Sequence, residues 1–225
     1  MQAIPPQYRT ETVTIPLGEQ QVKLAIVTNQ DELLDQLMAK GDEHEDVRDE
    51  RIPYWADLWH AALALAQYLD REKAVASGQT VTEIGCGLAL PGIAAGMLGG
   101  DVTLTDYLPE ALTLATHNWQ LNLERPAQTA VIDWREPGDL PPASILLASD
   151  VAYEARAFPA LLPAFLRLTK PGGTIILTEP NRAIAQPFLE QLARDEHFHC
   201  ERTSTKVCWN DCWKTVNVLV LRRKD

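Results

Sequence analysis

The chain has 225 residues, of which 46% are hydrophobic and 23% are charged, a composition typical of one globular domain with a substantial core. Its formal net charge of −11 disfavours a nucleic-acid partner, because phosphate backbones are bound by basic patches. Since the sequence has no apolar run of membrane-spanning length, no basic and apolar leader and only four cysteines, we expect a cytoplasmic protein without a membrane partner.

The N-terminal segment predicts a β-hairpin followed by a helix. Alternating apolar and polar residues over 10–15 and 21–27 predict the two strands of the hairpin. Residues 31–40 predict a short helix. The charge run from Asp42 to Glu50 predicts a solvated loop, with an electrostatic guide for a basic substrate surface as the alternative.

Strands and helices alternate after this segment. A helix is predicted over 57–69, with Asp57 as its N-cap. The following predicted elements are strands over 80–84, 101–105, 128–132, 144–149 and 173–178, and helices over 92–98, 109–122, 158–169 and 183–194. Such alternation predicts a parallel sheet with helices on both faces. Residues 198–209 and 214–223 predict an antiparallel hairpin that completes seven strands.

Residues 81–92, VTEIGCGLALPG, join a strand to a helix through a glycine turn. The dinucleotide pattern G-x-G-x-x-G requires a third glycine where this chain has Leu90, and no G-K-[ST] follows to form a phosphate loop. The remaining pattern is E-x-G-x-G, with Glu83 at the strand end and Gly85 and Gly87 in the turn. Glycine lets the backbone approach a ligand, and Glu83 can accept hydrogen bonds from an ammonium group. The turn therefore fits a ligand with an amino-acid tail.

Polar and aromatic side chains follow each of the next three strands, where open α/β sheets bind ligands. These side chains are Asp106, Tyr107, Asp133, Trp134, Ser149, Asp150 and Tyr153. Asp106 is suited to accept hydrogen bonds from both hydroxyls of a ribose. Asp133 and Trp134 are suited to the amine and the ring face of an adenine. The sequence thus predicts an adenosine-bearing cofactor.

Three segments resemble the seven-stranded S-adenosylmethionine-dependent methyltransferases over roughly residues 50–225. They are RIPYWADLWHAALALAQYL, EIGCGLALPGIAAGMLG and ASDVAYEARAFPALL. They are most similar to a branch of protein-lysine methyltransferases, which includes the enzyme acting on the electron-transfer flavoprotein β subunit, and of bacterial nicotinamide-N-methyltransferase-like proteins. The resemblance implies a Rossmann-like α/β fold over 51–225, with 1–50 as an N-terminal extension of one compact unit.

The same resemblance implies an enzyme that uses S-adenosyl-L-methionine and releases S-adenosyl-L-homocysteine. The implied acceptor is a lysine of a protein; the alternatives are a small amine or pyridine, and a non-catalytic binding module on the same fold. Ala89 stands where the family has a third glycine, and we expect its small side chain to be tolerated. TEPNR, residues 178–182, replaces an Asp-Pro-Gly-Arg-like segment and leaves the substrate open.

Roles for individual residues follow from this resemblance and from the chemistry of methyl transfer. Asp150 and Tyr153 are the candidates for holding the nucleophile. Trp59 is expected beside the sulfonium and Trp55 beside the substrate, because aromatic faces attract cations. The predicted substrate lip consists of Glu179, Asn181 and Arg182.

The histidines and cysteines of the tail do not predict a metal site. They are His197, His199, Cys200, Cys208 and Cys212. Their spacing matches no familiar zinc finger, and His197, His199 and Cys200 lie around a predicted strand start where successive side chains diverge. We therefore expect no metal, and we favour a monomer.

Overall fold

The computed structural model describes residues 3–49 and 51–225; Met1, Gln2 and Glu50 of the predicted N-terminal extension lie outside the described residues. The strands of the described chain are β1 (Thr10–Leu17), β2 (Gln20–Val27), β3 (Thr80–Ile84), β4 (Asp101–Asp106), β5 (Gln128–Val131), β6 (Ala143–Ser149), β7 (Thr169–Glu179), β8 (Phe198–Trp209) and β9 (Cys212–Arg223). Its α-helices are α1 (Gln30–Met38), α2 (Glu45–Arg48), α3 (His60–Glu72), α4 (Leu90–Met97), α5 (Pro109–Asn122), α6 (Phe158–Leu168) and α7 (Gln186–Arg194).

A seven-stranded sheet organises the fold, in the order β5-β4-β3-β6-β7-β9-β8. The first five strands in that order are parallel, and β9 pairs antiparallel with both β7 and β8. The predicted mostly parallel sheet with an antiparallel C-terminal hairpin is confirmed. Chain order reverses between β3 and β6, and such a switch point opens a crevice at the carboxyl ends of the strands.

Helices cover both faces of the sheet. Strand side chains alternate between the two faces, so Ile145 and Leu147 of β6 join the core beneath α3, α4 and α5, whereas Leu146 and Ala148 join the core beneath α6 and α7. Because both faces are covered, the central strands β3 and β6 are buried over most of their length, and β6 contains the apolar run Ile145–Ala148. This packing holds the carboxyl ends of β3, β4 and β6 side by side.

The hairpin of β1 and β2 forms its own sheet and packs on α5. Asn118 accepts a hydrogen bond from the Ala25 amide at 2.7 Å and donates to the Ala25 carbonyl at 3.2 Å. One turn later, Asn122 makes the equivalent pair of bonds with Lys23. Two helical asparagines thus satisfy the free backbone edge of β2, as a neighbouring strand would.

The helix predicted to begin at Asp57 begins instead at His60, with Trp59 in the N-cap position. Residues 54–56 form a 3₁₀ turn, and the Asp57 carboxylate accepts a hydrogen bond from the Leu58 amide at 2.7 Å rather than capping the helix. The prediction was wrong because Asp57 and Trp59 are extended and tertiary packing buries Leu58 between them, before the helix starts. Asp57 is thereby free to face the crevice.

The predicted solvated loop over 42–50 contains the short helix α2. His44 caps this helix by accepting a hydrogen bond from the Asp46 amide at 3.2 Å. Asp46 in turn pairs with Lys40 and Arg51. These local contacts, which charge composition alone does not reveal, order the segment; its surface still carries exposed acids.

Candidate functional site

A cavity of about 510 Å³ lies at the carboxyl ends of β3, β4 and β6, a volume usual for small-molecule sites. Most of the predicted site residues line it: Trp55, Trp59, Gly85, Gly87, Asp106, Tyr107, Trp134, Ser149, Asp150, Tyr153 and Arg182. Four predicted residues, Glu83, Asp133, Glu179 and Asn181, do not. The sequence therefore located the cavity, while the structure reassigns part of its wall.

The glycine turn between β3 and α4 is narrow as well as sharply bent. Gly85 and Gly87 have φ of +58° and +47°, a region that disfavours side chains. A Cβ atom on Gly85 would lie 3.1 Å from the Trp134 ring, and one on Gly87 would lie 3.2 Å from the Trp55 carbonyl oxygen. The backbone of this turn is consequently bare towards the cavity.

Ala89 also adopts a left-handed conformation, with φ of +63°. We expected alanine to be tolerated here because it is nearly as slim as glycine. The structure shows that the demand at this position concerns the backbone dihedral angle, which costs a non-glycine residue on the order of 1 kcal/mol. The burial of Ala89 holds it in place.

Glu83 supports the turn from below and does not line the cavity, which corrects its predicted role. Its side chain is fully buried, and Oε2 accepts a hydrogen bond from the Gly92 amide at 2.9 Å, in the first turn of α4. No side chain caps this helix locally, so the carboxylate satisfies an amide that would otherwise have no partner. Burial raises the pKa of Glu83 well above its usual range.

Asp106 joins the two loops that border the cavity. Its carboxylate accepts hydrogen bonds from the amides of Gly87 and Leu108, both at 3.1 Å, and only 5% of the residue is exposed. Burial raises the pKa of Asp106 to about 6, so the side chain is mostly ionised at neutral pH. An ionised carboxylate held in this way can accept further hydrogen bonds from hydroxyl groups in the cavity.

Of the pair after β5, only Trp134 lines the cavity. Asp133 instead accepts hydrogen bonds from the Arg135 side chain, at 2.7 and 2.9 Å, and from the Arg135 amide at 2.8 Å. Asp133 does not line the cavity and a local ion pair engages its carboxylate, so its contact with an adenine amine stays a prediction. Trp134 alone provides a flat apolar face at this end.

Asp150 and Arg182 form an ion pair within the cavity wall. Asp150 has a φ of +56°, and its amide donates to the Thr178 carbonyl at 2.9 Å. Both of its carboxylate oxygens accept hydrogen bonds from the Arg182 guanidinium, with Nη2 to Oδ2 at 3.0 Å. Since the Asp150 side chain is only 10% exposed, the arginine supplies the counter-charge that a buried carboxylate requires.

Neither Glu179 nor Asn181 lines the cavity. The predicted contact of the buried Glu179 with substrate is corrected, whereas that of the exposed Asn181 stays a prediction. Glu179 is fully buried and accepts hydrogen bonds from the amides of Asn181 and Arg182, at 2.8 and 2.7 Å. Asn217 on β9 contacts both Glu179 and Asn181. These residues shape the turn that directs Arg182 into the cavity.

Tyr54, Trp59 and Tyr153 form an aromatic wall of the cavity. Tyr54 makes edge contacts with Trp59 and Tyr153, each with ring centroids 6.0 Å apart, and its carbonyl accepts a hydrogen bond from the Trp59 indole at 2.7 Å. Burial raises the pKa of Tyr107 to about 12 and that of Tyr153 further, so both phenols stay protonated at neutral pH. They can orient a ligand by hydrogen bonding but cannot act as phenolate bases.

Sequence reasoning missed Tyr54, Asp57 and Glu154, all of which line the cavity. Tyr54 and Asp57 flank the predicted Trp55, and the assignment of Asp57 to a helix cap concealed its orientation. Glu154 follows the predicted Tyr153 directly. A reading of residues 54–59 as an extended segment would have found the first two.

Comparison with known proteins identifies the family to which this chain belongs. A family profile described as lysine methyltransferase matches residues 45–195. The chain belongs to this lysine methyltransferase family. It is 34% identical over 157 residues to EEF1A lysine methyltransferase 3 of Mus musculus, covering 67% of each chain. It is 37% identical over 117 residues to the histone-arginine methyltransferase METTL23 of Rattus norvegicus, covering 49% of this chain and 52% of that protein.

Solved structures show that the fold of this family member is that of methyltransferases. The N-methyltransferase NodS of Bradyrhizobium japonicum WM9 in complex with S-adenosyl-L-homocysteine superposes with a TM-score of 0.56 at 16% sequence identity. The alignment covers 88% of this chain and all of that one. At this identity the likeness concerns the fold alone.

No group of three or more histidine, cysteine or acidic residues within 3–49 and 51–225 could hold a metal ion. In the β8–β9 hairpin, Cys208 lies opposite Trp213 and Cys212 lies opposite Trp209, so the two cysteines project to opposite faces. Among the described helices, none has the length and apolarity needed to cross a bilayer.

Proposed function

We propose that this protein is an S-adenosylmethionine-dependent N-methyltransferase that acts on a lysine side chain of a protein. The observation that carries the proposal is the meeting of Asp106, Trp134 and Asp150 around a bare glycine turn in one cavity, in a chain that belongs to the lysine methyltransferase family. Because the chain spans 67% of one relative and about half of another, the substrate is our inference.

The residues present fit the cofactor by their chemistry. Asp106 offers an ionised carboxylate to the ribose hydroxyls, Trp134 offers a ring face to the adenine, and the turn of Gly85 and Gly87 exposes bare backbone to the amino-acid tail. When bound, S-adenosyl-L-methionine supplies an electrophilic methyl group for in-line displacement. The task that falls to the chain is alignment and exclusion of water.

We assign the acceptor end to Asp150, Tyr153 and the aromatic wall. A lysine must lose its proton before it can attack, which costs about 4–5 kcal/mol at neutral pH. The aromatic wall lowers this cost by withdrawing the amine from water, since burial disfavours the charged form. The protonated Tyr153 and the Arg182-bound Asp150 can then orient the neutral amine through hydrogen bonds.

An arginine acceptor is the second candidate. Asp150 binds the Arg182 guanidinium with both carboxylate oxygens, so an acceptor arginine could bind this carboxylate in the same way by replacing Arg182. A relative that is 37% identical over 117 residues is named a histone-arginine methyltransferase.

Incubation of cell extract with radiolabelled S-adenosyl-L-methionine tests the proposal. Addition of the protein should label a protein band, and mass spectrometry should find the methyl group on lysine. Methylarginine would establish the second candidate, and label confined to small molecules would refute a protein acceptor. Tyr153→Phe and Asp150→Asn should abolish labelling while retaining affinity for S-adenosyl-L-homocysteine, whereas the exposed Asp139→Asn should label normally.

We also infer that the acceptor protein presents a basic surface, which the net charge of −11 supports. Cytoplasmic location, a monomeric state, the absence of a nucleic-acid partner and the division at residue 50 stay predictions. Size-exclusion chromatography with light scattering would test the monomer.

A further inference from the structure

The cavity wall contains the carboxylates Asp57, Asp106, Asp150 and Glu154. Asp106 accepts hydrogen bonds from two backbone amides. Asp150 pairs with Arg182, and Glu154 pairs with a neighbouring arginine. Asp57 differs from Asp150 and Glu154 because no cation within the described ranges pairs with it, and it differs from Asp106 because it accepts a hydrogen bond from only one backbone amide there.

Asp57 is held in place by its neighbours. Ala56 and Leu58 on either side are fully or almost fully buried, so the backbone that carries Asp57 is anchored in the core. Its one hydrogen bond in the described chain is accepted from the Leu58 amide. A carboxylate fixed in a cavity wall without a counter-charge favours a ligand that brings a cation.

The segment that carries Asp57 lies against the glycine turn, since the Trp55 carbonyl oxygen would be 3.2 Å from a Cβ on Gly87. The turn is the part of the cavity where bare backbone can accommodate an amino-acid tail. Glu83, which the sequence assigned to the ammonium of that tail, is fully buried beneath the turn and does not line the cavity; its Oε2 binds the Gly92 amide, and its Oε1 has no partner in the described chain. Asp57 does line the cavity, so a ligand there can reach its carboxylate directly.

We propose that Asp57 accepts hydrogen bonds from the ammonium group of the amino-acid tail of S-adenosyl-L-methionine. The inference rests on the proposed function, because it takes this cofactor as the ligand. It also explains how Glu83, at the end of β3, can bind the first turn of α4 while another carboxylate binds the ammonium of the cofactor. The acceptor amine, by contrast, is left to Asp150 and Tyr153.

Isothermal titration with two ligands tests this assignment. S-adenosyl-L-homocysteine contains the amino-acid tail, whereas 5′-methylthioadenosine keeps the nucleoside and lacks the tail. Asp57→Asn should weaken S-adenosyl-L-homocysteine about ten- to a hundredfold, the range expected for a charge-assisted hydrogen bond, and change 5′-methylthioadenosine by less than about twofold. Asp139→Asn, an exposed site with the same charge change, should leave both affinities unaltered.

The second ligand also reports whether the variant is folded, because it occupies the same nucleoside site. Equal affinity of wild type and Asp57→Asn for S-adenosyl-L-homocysteine would overturn the assignment and leave the proposed function intact. A variant that keeps this affinity but needs more acceptor protein for turnover would overturn it too, in favour of contact with the acceptor. If the wild-type protein binds neither ligand, the proposed function itself fails.

Discussion

Replacement of Asp106 by Asn should alter the pH dependence of stability in a defined direction. Burial raises the pKa of Asp106 from its ordinary value of 3.8 to about 6 in the folded protein. The folded state therefore holds a proton more tightly than the unfolded chain does. The stability linked to this proton is fully present below the unfolded pKa and is lost as the pH rises through about 6.

The difference between these two pKa values corresponds to about 3 kcal/mol of stability lost above pH 7, of which about half is already lost near pH 5. Asparagine does not titrate, so its free energy of unfolding relative to wild type should rise by about 1–1.5 kcal/mol between about pH 5 and about pH 7.5. The loss of hydrogen bonds to Gly87 lowers the stability of the variant equally at both pH values, so it cancels from the difference between them. The charge of Asp106 also helps to raise the pKa of Glu83. Removing that charge therefore also raises the stability of the variant relative to wild type as the pH increases.

Urea unfolding followed by tryptophan fluorescence at the two pH values gives the required difference. Asp139→Asn serves as the matched control and should show a constant offset from wild type, because its side chain is exposed. An Asp106→Asn offset that is independent of pH, or that shrinks as the pH rises, would refute the raised pKa and with it the burial of this charge.

Three further predictions concern the fold and the approach of substrate. Asn118→Ala should cost about 2–4 kcal/mol in urea unfolding because it leaves buried β2 backbone groups unpaired. Asn122→Ala, at a half-buried position, should cost about 1 kcal/mol, and equal losses for the two variants would contradict the edge role of Asn118. Gly92→Ala should destabilise by about 1–3 kcal/mol or prevent folding, since its Cβ would overlap Leu104, whereas Gly138→Ala meets no atom and should cost about 1 kcal/mol through its φ alone. Amide replacement of the exposed acids within 42–45 should slow association with a basic acceptor at low salt and not at high salt; stopped-flow rates that are unchanged at low salt would reject the guiding role.

Periodicity and turn chemistry determined most of the fold from the sequence. The predicted bounds of α5 and β8 match the structure, because a proline begins the helix and a sharp turn ends the strand. The E-x-G-x-G turn and the polar residues after successive strands located the cavity, since parallel strands end along one edge. These signals are local, and a single sequence carries them.

The orientation of individual acids was decided by tertiary structure alone. Glu83, Asp133 and Glu179 all end or follow strands at the correct edge, yet a helix terminus, a neighbouring arginine and a backbone turn each engage one of them. Asp57 was assigned to a helix cap, and burial of its neighbours turns it to the cavity instead. Each carboxylate binds the hydrogen-bond donor that the folded chain places beside it. The position of that donor depends on the local backbone conformation and on packing, which a linear sequence pattern does not give.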